Sequence, residues 1–202
     1  MNVTRDPQRY QLSFTSGALY LGGAQIGADL YLQSGDWVKV RAQLRSGNLL
    51  QARTLGTSTR WARELVQRLE TLTPEEIALL ADATGEELAQ LMWTATCRRY
   101  ELIGEFAEEV LRERFLLMKP HLLVGHFDEF VRAKVLWHEE LSVLEPSTLR
   151  KLRSNLYKML READLITEEG VIVPTVIAPR VREHLVRRSP SDLRYFPTRD
   201  AA

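Results

Sequence analysis

The chain has 202 residues, with 27 lysines and arginines against 27 aspartates and glutamates, and 45% of its residues are hydrophobic. This composition is typical of a soluble globular protein and excludes the disordered, collagen-like and disulfide-rich classes. Cys97 is the single cysteine, which excludes an intramolecular disulfide and a cysteine-based zinc site, so we expect a reducing, cytoplasmic location. Residues 10–28 carry no charge, but their glutamines, serines and glycines make them too polar for a membrane span.

The zero net charge conceals three regions of different charge. Residues 1–72 hold nine basic and five acidic residues (net +4), residues 73–146 hold seven and 15 (net −8), and residues 147–202 hold 11 and seven (net +4). Because phosphate binding depends on local charge, the basic ends indicate two separate surfaces for a polyanion. The alternative is that a helical protein of this size distributes its charges unevenly without any functional consequence.

Three helices are predicted in residues 1–72 from apolar residues at three- and four-residue intervals. Ser16 is the expected N-cap of the first helix, Ser34-Gly35-Asp36 separates it from the second, and Thr57 or Ser58 is expected to cap the third. Glycines in the first helix indicate a close approach to a neighbouring helix. This layout is compatible with a helix-turn-helix unit and equally with a plain helical bundle. The basic face of the third helix carries Arg60, Arg63 and Arg68.

Residues 73–120 form the predicted acidic helical middle. Thr73-Pro74-Glu75-Glu76 has the pattern of a capping box, and Thr84 with Glu87 repeats it. The apolar pattern then continues to about residue 118, which is longer than a typical helix, so we expect a break near Arg98-Arg99 or Gly104. Lys119-Pro120 ends this region.

Residues 121–188 have the element order of a winged helix. An amphipathic helix is predicted over residues 126–141, and Pro146-Ser147-Thr148 opens a basic helix with an apolar inner face. Apolar runs on either side of the turn ending at Gly170 predict a short β-hairpin over residues 165–173. Residues 189–202 have little apolar periodicity, so we predict an extended or mobile tail whose deletion leaves the core intact.

No catalytic, nucleotide-binding or metal-binding motif is visible. The four histidines lack helical zinc-site spacing, and Gly22-Gly23 is not followed by the lysine of a phosphate-binding loop. Cys97 lies on an apolar helix face, where an inert thiol is expected. We therefore predict no enzyme activity and no cofactor, metal or small-molecule substrate. The tryptophans, which all fall on apolar stripes and are predicted core residues, are Trp37, Trp61, Trp93 and Trp137.

Several segments along the chain together carry a resemblance to a known protein family. They are Ser16–Leu19, Asn48–Thr54, Ser58–Arg60, Glu64–Leu69, Leu91–Trp93, Cys97–Tyr100, Phe106, Leu136-Trp137, Glu140-Leu141, Ser147–Leu152 and Met159–Ala163. Together they resemble the BrxA family of BREX bacteriophage-exclusion systems over about residues 10–185. The resemblance implies a helical, non-enzymatic double-stranded DNA-binding protein that works beside the methyltransferase, ATPase and phosphatase-like components of these systems.

We thus predict a mainly α-helical protein made of a helix-turn-helix-like N-terminal region (1–72), an acidic middle (73–120), a winged-helix-like domain with one short β-hairpin (121–188) and a tail (189–202). The main hypothesis is double-stranded DNA binding by both basic ends, with the helix beginning at Ser147 as the groove reader. The alternative is an interaction scaffold that docks other BREX subunits through its acidic middle. The predicted DNA-binding residues are Arg53, Arg60, Arg63, Arg68, Ser147, Thr148, Arg150, Lys151, Arg153 and Lys158.

Overall fold

Helices make up most of the described chain, as the apolar periodicity predicts. The computed structural model describes residues 9–14 and 16–199. The helices of the N-terminal third are α1 (Leu21–Ser34), α2 (Trp37–Ser46) and α3 (Leu55–Leu69). The middle third contains α4 (Pro74–Ala81), α5 (Gly85–Arg99), α6 (Glu101–Phe106), a π-helical stretch (Ala107–Arg112) and α7 (Glu113–Leu116). The last third contains α8 (Val124–Lys134), α9 (Glu139–Ser142), α10 (Pro146–Glu162), α11 (Pro179–Leu185) and a 3-10 turn (Asp192–Tyr195).

Several predicted helix boundaries are confirmed by their capping hydrogen bonds. Asp36 accepts the Val38 N–H at 2.8 Å, so it caps α2. At the start of α4, the Glu76 carboxylate accepts the Thr73 N–H at 2.8 Å and the Thr73 hydroxyl accepts the Glu76 N–H at 3.3 Å. The expected break in the long middle helix falls at Tyr100, whose φ of −122° and ψ of 95° separate α5 from α6.

Two predicted N-caps are wrong. α1 begins at Leu21 instead of after Ser16, because Gly17 has a φ of +62° and lies against α10, where a Cβ would stand 2.6 Å from the Asn155 Oδ1 atom. This contact requires a glycine in the left-handed conformation and keeps the chain out of a helix there. The N-cap of α3 is Thr54, three residues before Thr57 and four before Ser58, because the Thr54 hydroxyl accepts the Thr57 N–H at 3.2 Å.

The core is built around α5, in which the residues from Glu87 to Cys97 are all buried. The predicted close approach of α1 to a neighbour is confirmed, since a Cβ on Gly27 would lie 2.7 Å from Leu69 Cδ1 of α3. Buried apolar residues form one cluster that includes side chains from Tyr10 to Phe196. The domain boundaries at residues 72 and 120 stay predictions.

The segment predicted as a dispensable tail is part of this core. Leu193 and Phe196 are fully buried, and Trp93 Nε1 donates to the Tyr195 carbonyl at 2.9 Å. Arg98 of α5 forms ion pairs with Glu76 of α4 at 2.6 Å and with Asp192 at 2.7 Å. The tail prediction is wrong because a single 3-10 turn is too short to show periodicity, although its side chains fill the space beside α5.

The predicted β-hairpin is reduced to isolated bridges. Among the described residues, antiparallel bridges join His121 to Val171 and Ile166 to Ile172, without a longer strand. The turn itself forms, because Gly170 has a φ of +79° and its N–H donates to the Thr167 carbonyl at 3.0 Å. Pro174, which has no N–H to donate, limits the pairing. The winged-helix assignment therefore stays a prediction.

The amphipathic segment predicted over residues 126–141 is not a single helix. α8 ends at Lys134, and α9 begins at Glu139 after a turn. Trp137 lies in this turn and is 83% exposed, so its assignment to the core is wrong. Trp93 is fully buried as predicted, and Trp37 and Trp61 are partly buried.

Replacement of Phe196 by alanine tests whether the C-terminal segment belongs to the core. Because the Phe196 ring is fully buried, we expect Phe196→Ala to lower the free energy of unfolding by about 3–5 kcal/mol, measured by urea denaturation. Arg199→Ala, at an exposed position nearby, serves as the control and should change it by less than about 0.5 kcal/mol. A Phe196→Ala chain as stable as the control would contradict this account.

The ion pair between Arg98 and Glu76 predicts a pH dependence of stability. Burial by itself raises the pKa of the Glu76 carboxyl, but the hydrogen bonds from Arg98 outweigh burial and hold that pKa below its ordinary value. Ionised Glu76 therefore stabilises the fold fully at pH values above about 4.3, the ordinary pKa of glutamate. This stabilisation is lost as the pH falls through the lower pKa that Glu76 has in the folded state.

Replacement of Glu76 by glutamine measures this contribution. We expect Glu76→Gln to lower the free energy of unfolding by about 3 kcal/mol at neutral pH, since the buried Arg98 loses one of its two carboxylate partners, and the deficit should shrink below about pH 4. Urea denaturation at several pH values measures both effects. Glu70→Gln, at an exposed position, is the matched control. A deficit that does not change with pH would refute the electrostatic explanation.

Candidate nucleic-acid interface

α10 separates an apolar inner face from a basic outer face, as the sequence predicts. Its inner face is buried through Leu152, Leu156 and Leu160. The outer face exposes Ser147, Thr148, Arg150, Lys151 and Lys158. The helix begins at Pro146, where the fixed φ of proline suits the first turn. Proline has no N–H, so this position has no donor that needs a partner.

The cations of α10 differ in whether a carboxylate already neutralises them. Arg153 is only partly exposed and is paired with Asp128 of α8. Lys158 Nζ lies 3.7 Å from Glu162 Oε1, one turn further along the helix. Among the described residues, Arg150 and Lys151 form no ion pair and are exposed. The free positive charge of α10 is therefore concentrated near its N-terminal end.

A second group of free cations lies at and before α3. Arg53 precedes the helix, Arg60 and Arg63 lie on it, and all three are exposed. In the described chain none of the three forms an ion pair. The sequence allows Arg60 to pair with Glu64, but Glu64 is buried and accepts hydrogen bonds from the hydroxyls of Ser16 at 2.8 Å and Tyr20 at 3.1 Å.

Arg68 does not belong to this surface, so its prediction as a phosphate contact is wrong. Its side chain is fully buried, Nη1 donates to the Ala18 carbonyl at 2.5 Å, and Nη2 lies 4.0 Å from Glu64 Oε2. Nη2 also donates to Met159 Sδ of α10 at 3.8 Å. A buried arginine is stable only with such partners, and they hold the guanidinium inside the molecule.

The residues before α1 join α3 to α10, which sequence reasoning missed. From α10, the Asn155 amide donates to the Phe14 carbonyl at 2.9 Å and Glu162 accepts the Leu19 N–H at 2.7 Å. From α3, Glu64 and Arg68 bond to Ser16 and Ala18. α3 and α10, which both carry free cations, are thus tied to one segment of chain. No local sequence pattern marks this role, because each bond joins residues far apart in the sequence.

Tyr157 packs beneath the basic face of α10 and does not reach solvent. It is 5% exposed, and its hydroxyl donates to the Leu123 carbonyl at 2.5 Å. Burial raises the pKa of this phenol, with a smaller opposing effect from the Arg153 charge. The ring therefore supports the helix, and the exposed cations around it are left to make external contacts.

Neither a reactive cysteine nor a metal-binding cluster is found among the described residues. Cys97 is buried, and burial raises the pKa of its thiol well above the ordinary value, which disfavours the reactive thiolate. No group of three or more histidine, cysteine, aspartate or glutamate side chains among the described residues is placed to hold a metal ion. Within the same residues, no helix combines the length and the apolar character needed to cross a membrane.

Comparisons with known proteins identify the family. The chain is 28% identical over 160 residues to the BREX protein BrxA of Paramagnetospirillum magneticum (strain ATCC 700264 / AMB-1), which covers 79% of this chain and 80% of the relative. It is 29% identical over 150 residues to the BREX protein BrxA of Escherichia coli O9:H4 (strain HS). This match covers 74% of this chain and 70% of the relative.

A solved structure and a family model agree with these relatives. The fold matches the crystal structure of an uncharacterized protein from Magnetospirillum magneticum with a TM-score of 0.81 and 24% identity, over 94% of this chain and 98% of that one. At this identity the match shows a shared fold. The model of the BrxA family matches residues 8–189, nearly the whole chain. The chain therefore belongs to the BrxA family.

Proposed function

We propose that this protein is a non-enzymatic, double-stranded DNA-binding accessory protein of a BREX phage-defence system. One observation supports the proposal most directly: Arg53, Arg60 and Arg63 at α3 and Arg150 and Lys151 at the start of α10 are exposed and form no ion pair with described residues. Unpaired arginines and lysines are the groups that displace counterions from duplex phosphates. The role in a BREX system is drawn from the relatives, both of which are BREX proteins named BrxA.

α10 is the helix that we assign to the groove. It is the longest helix of the described chain at 17 residues, it follows α8 and the short α9, and its first turn exposes Ser147 and Thr148. N-terminal residues of a recognition helix contact base edges in helix-turn-helix proteins, while flanking cations contact phosphate. Arg150 and Lys151 lie in the second turn of α10, where they can contact phosphate.

The cations at α3 supply a second contact to the phosphate backbone. Arg53, Arg60 and Arg63 are free of ion pairs with described residues, and α3 is tied to α10 through the segment before α1. A fixed relation between the two helices presents both sets of cations at a constant spacing. We propose that α3 positions the duplex and that α10 reads it.

The binding should depend steeply on salt concentration. If the five free cations each displace one counterion, the slope of log affinity against log salt is about −4.5, which is a loss of roughly 500-fold between about 50 and 200 mM salt. Fluorescence anisotropy with a labelled random-sequence duplex measures the slope. Affinity that does not change over this range would refute the phosphate-contact model, and a requirement for zinc or nucleotide would refute the absence of a cofactor.

Charge reversal separates the two surfaces. We expect Arg150→Glu with Lys151→Glu to weaken duplex binding by at least about tenfold, and Arg60→Glu with Arg63→Glu to weaken it less, because only the α10 variant removes cations beside the groove-reading turn. Both variants should stay folded because all four side chains are exposed. Anisotropy titrations at a single salt concentration provide the measurement.

Lys119→Glu with Arg187→Glu is the matched control for these variants. Both positions are exposed and lie outside α3 and α10, and the control changes the net charge by the same amount. We expect it to alter affinity by no more than about twofold. If the control weakens binding as much as the α10 variant, the effect is one of total charge, and neither helix can be assigned as a DNA-binding surface.

A further inference from the structure

Leu136 and Trp137 form an exposed apolar turn between α8 and α9. Their side chains are 80% and 83% exposed, and Val143, which follows α9, is 72% exposed. We refer to Leu136, Trp137 and Val143 as the apolar turn. Large apolar side chains that stay exposed, as these three do, are found at protein interaction sites. Tryptophan is among the residues that contribute most binding energy when an interface covers them.

The exposure of the apolar turn is a fixed feature of the fold. The N–H groups of Trp137 and His138 both donate to the Lys134 carbonyl at 3.0 Å. The His138 ring stacks on Tyr10, with ring centroids 3.6 Å apart, and Val135 packs against the core. Because the neighbouring residues are held inward, Leu136 and Trp137 are presented outward without a loss of loop entropy on binding, which favours association.

Acidic residues outnumber basic ones in the sequence on either side of the apolar turn. Residues 129–145 contain four glutamates against one arginine and one lysine, and that lysine, Lys134, is already paired with Glu105 and Glu109. Glu139 and Glu145 are exposed and form no ion pair with any described residue. A negative local field repels nucleic-acid phosphate and attracts basic side chains, which argues for a protein partner at this position.

We propose that the apolar turn is a docking surface for a partner protein segment in which apolar side chains are flanked by lysine or arginine. Trp137 anchors the apolar side chains, and Glu139 and Glu145 attract the flanking cations. This surface is built from residues outside α3 and α10. It adjoins the start of α10, because Glu145 is the N-cap of that helix.

Two synthetic peptides of about 18 residues test the proposal directly. Both have leucines at the spacing of one helix face, and the polar positions are lysine in one and glutamate in the other. We expect the full chain to bind the labelled lysine peptide by fluorescence anisotropy and the glutamate peptide far more weakly. Leu136→Ser with Trp137→Ser should weaken lysine-peptide binding by at least about tenfold, and Glu139→Lys should weaken it by several-fold.

Matched controls identify the occupant. Leu32→Ser with Val38→Ser removes two apolar side chains that are 52% and 64% exposed elsewhere, and should change lysine-peptide affinity by less than about twofold. Equal binding of the glutamate peptide, or unchanged affinity in the Leu136/Trp137 variant, overturns the proposal. The proposal is also overturned if the unmodified chain self-associates in sedimentation and the Leu136/Trp137 variant does not, because the turn then binds a second copy of the chain. A tenfold loss of duplex affinity in the Leu136/Trp137 variant would show that the turn contacts DNA, and it would overturn the proposal as well.

Discussion

The buried guanidinium of Arg68 determines how the two ends of the molecule meet. A charge removed from water must be paired and hydrogen-bonded, and Arg68 meets this requirement with the Glu64 carboxylate and the Ala18 carbonyl. Ala18 belongs to the segment before α1, which Asn155 and Glu162 of α10 bind from the other side. The cost of burying one arginine therefore constrains the relation between α3 and α10, the two helices that we assign to the duplex.

A second buried arginine closes the opposite end of the chain in a similar way. Arg98 of α5 pairs with Glu76 of α4 and with Asp192 of the C-terminal 3-10 turn. The paired turn brings Leu193 and Phe196 into the core beside Trp93. Arg68 thus binds the segment before α1 and Arg98 binds the C-terminal turn, and each arginine neutralises a carboxylate that would be costly to bury alone.

The surface that remains is divided by charge between two kinds of ligand. Arg53, Arg60, Arg63, Arg150 and Lys151 at α3 and α10 are free and exposed, whereas glutamates flank the apolar turn in the sequence. The first surface suits phosphate and the second suits a basic protein segment. On this view one protein has both a DNA-binding and a docking surface, but the docking surface lies at residues 136–145 and not in the acidic middle (73–120) that the sequence-based hypothesis named.

The sequence by itself determined the helical class, most helix caps and the amphipathic character of α10, because these depend on residues within one or two turns of each other. It also carries the family resemblance, and the charge distribution indicates the basic ends. Only the tertiary structure decided that Arg68 is buried, that the residues after 189 belong to the core and that Trp137 is exposed. Each of these outcomes depends on partners 50 or more residues away, or on which face of a short turn finds space in the core, and no local pattern records such information.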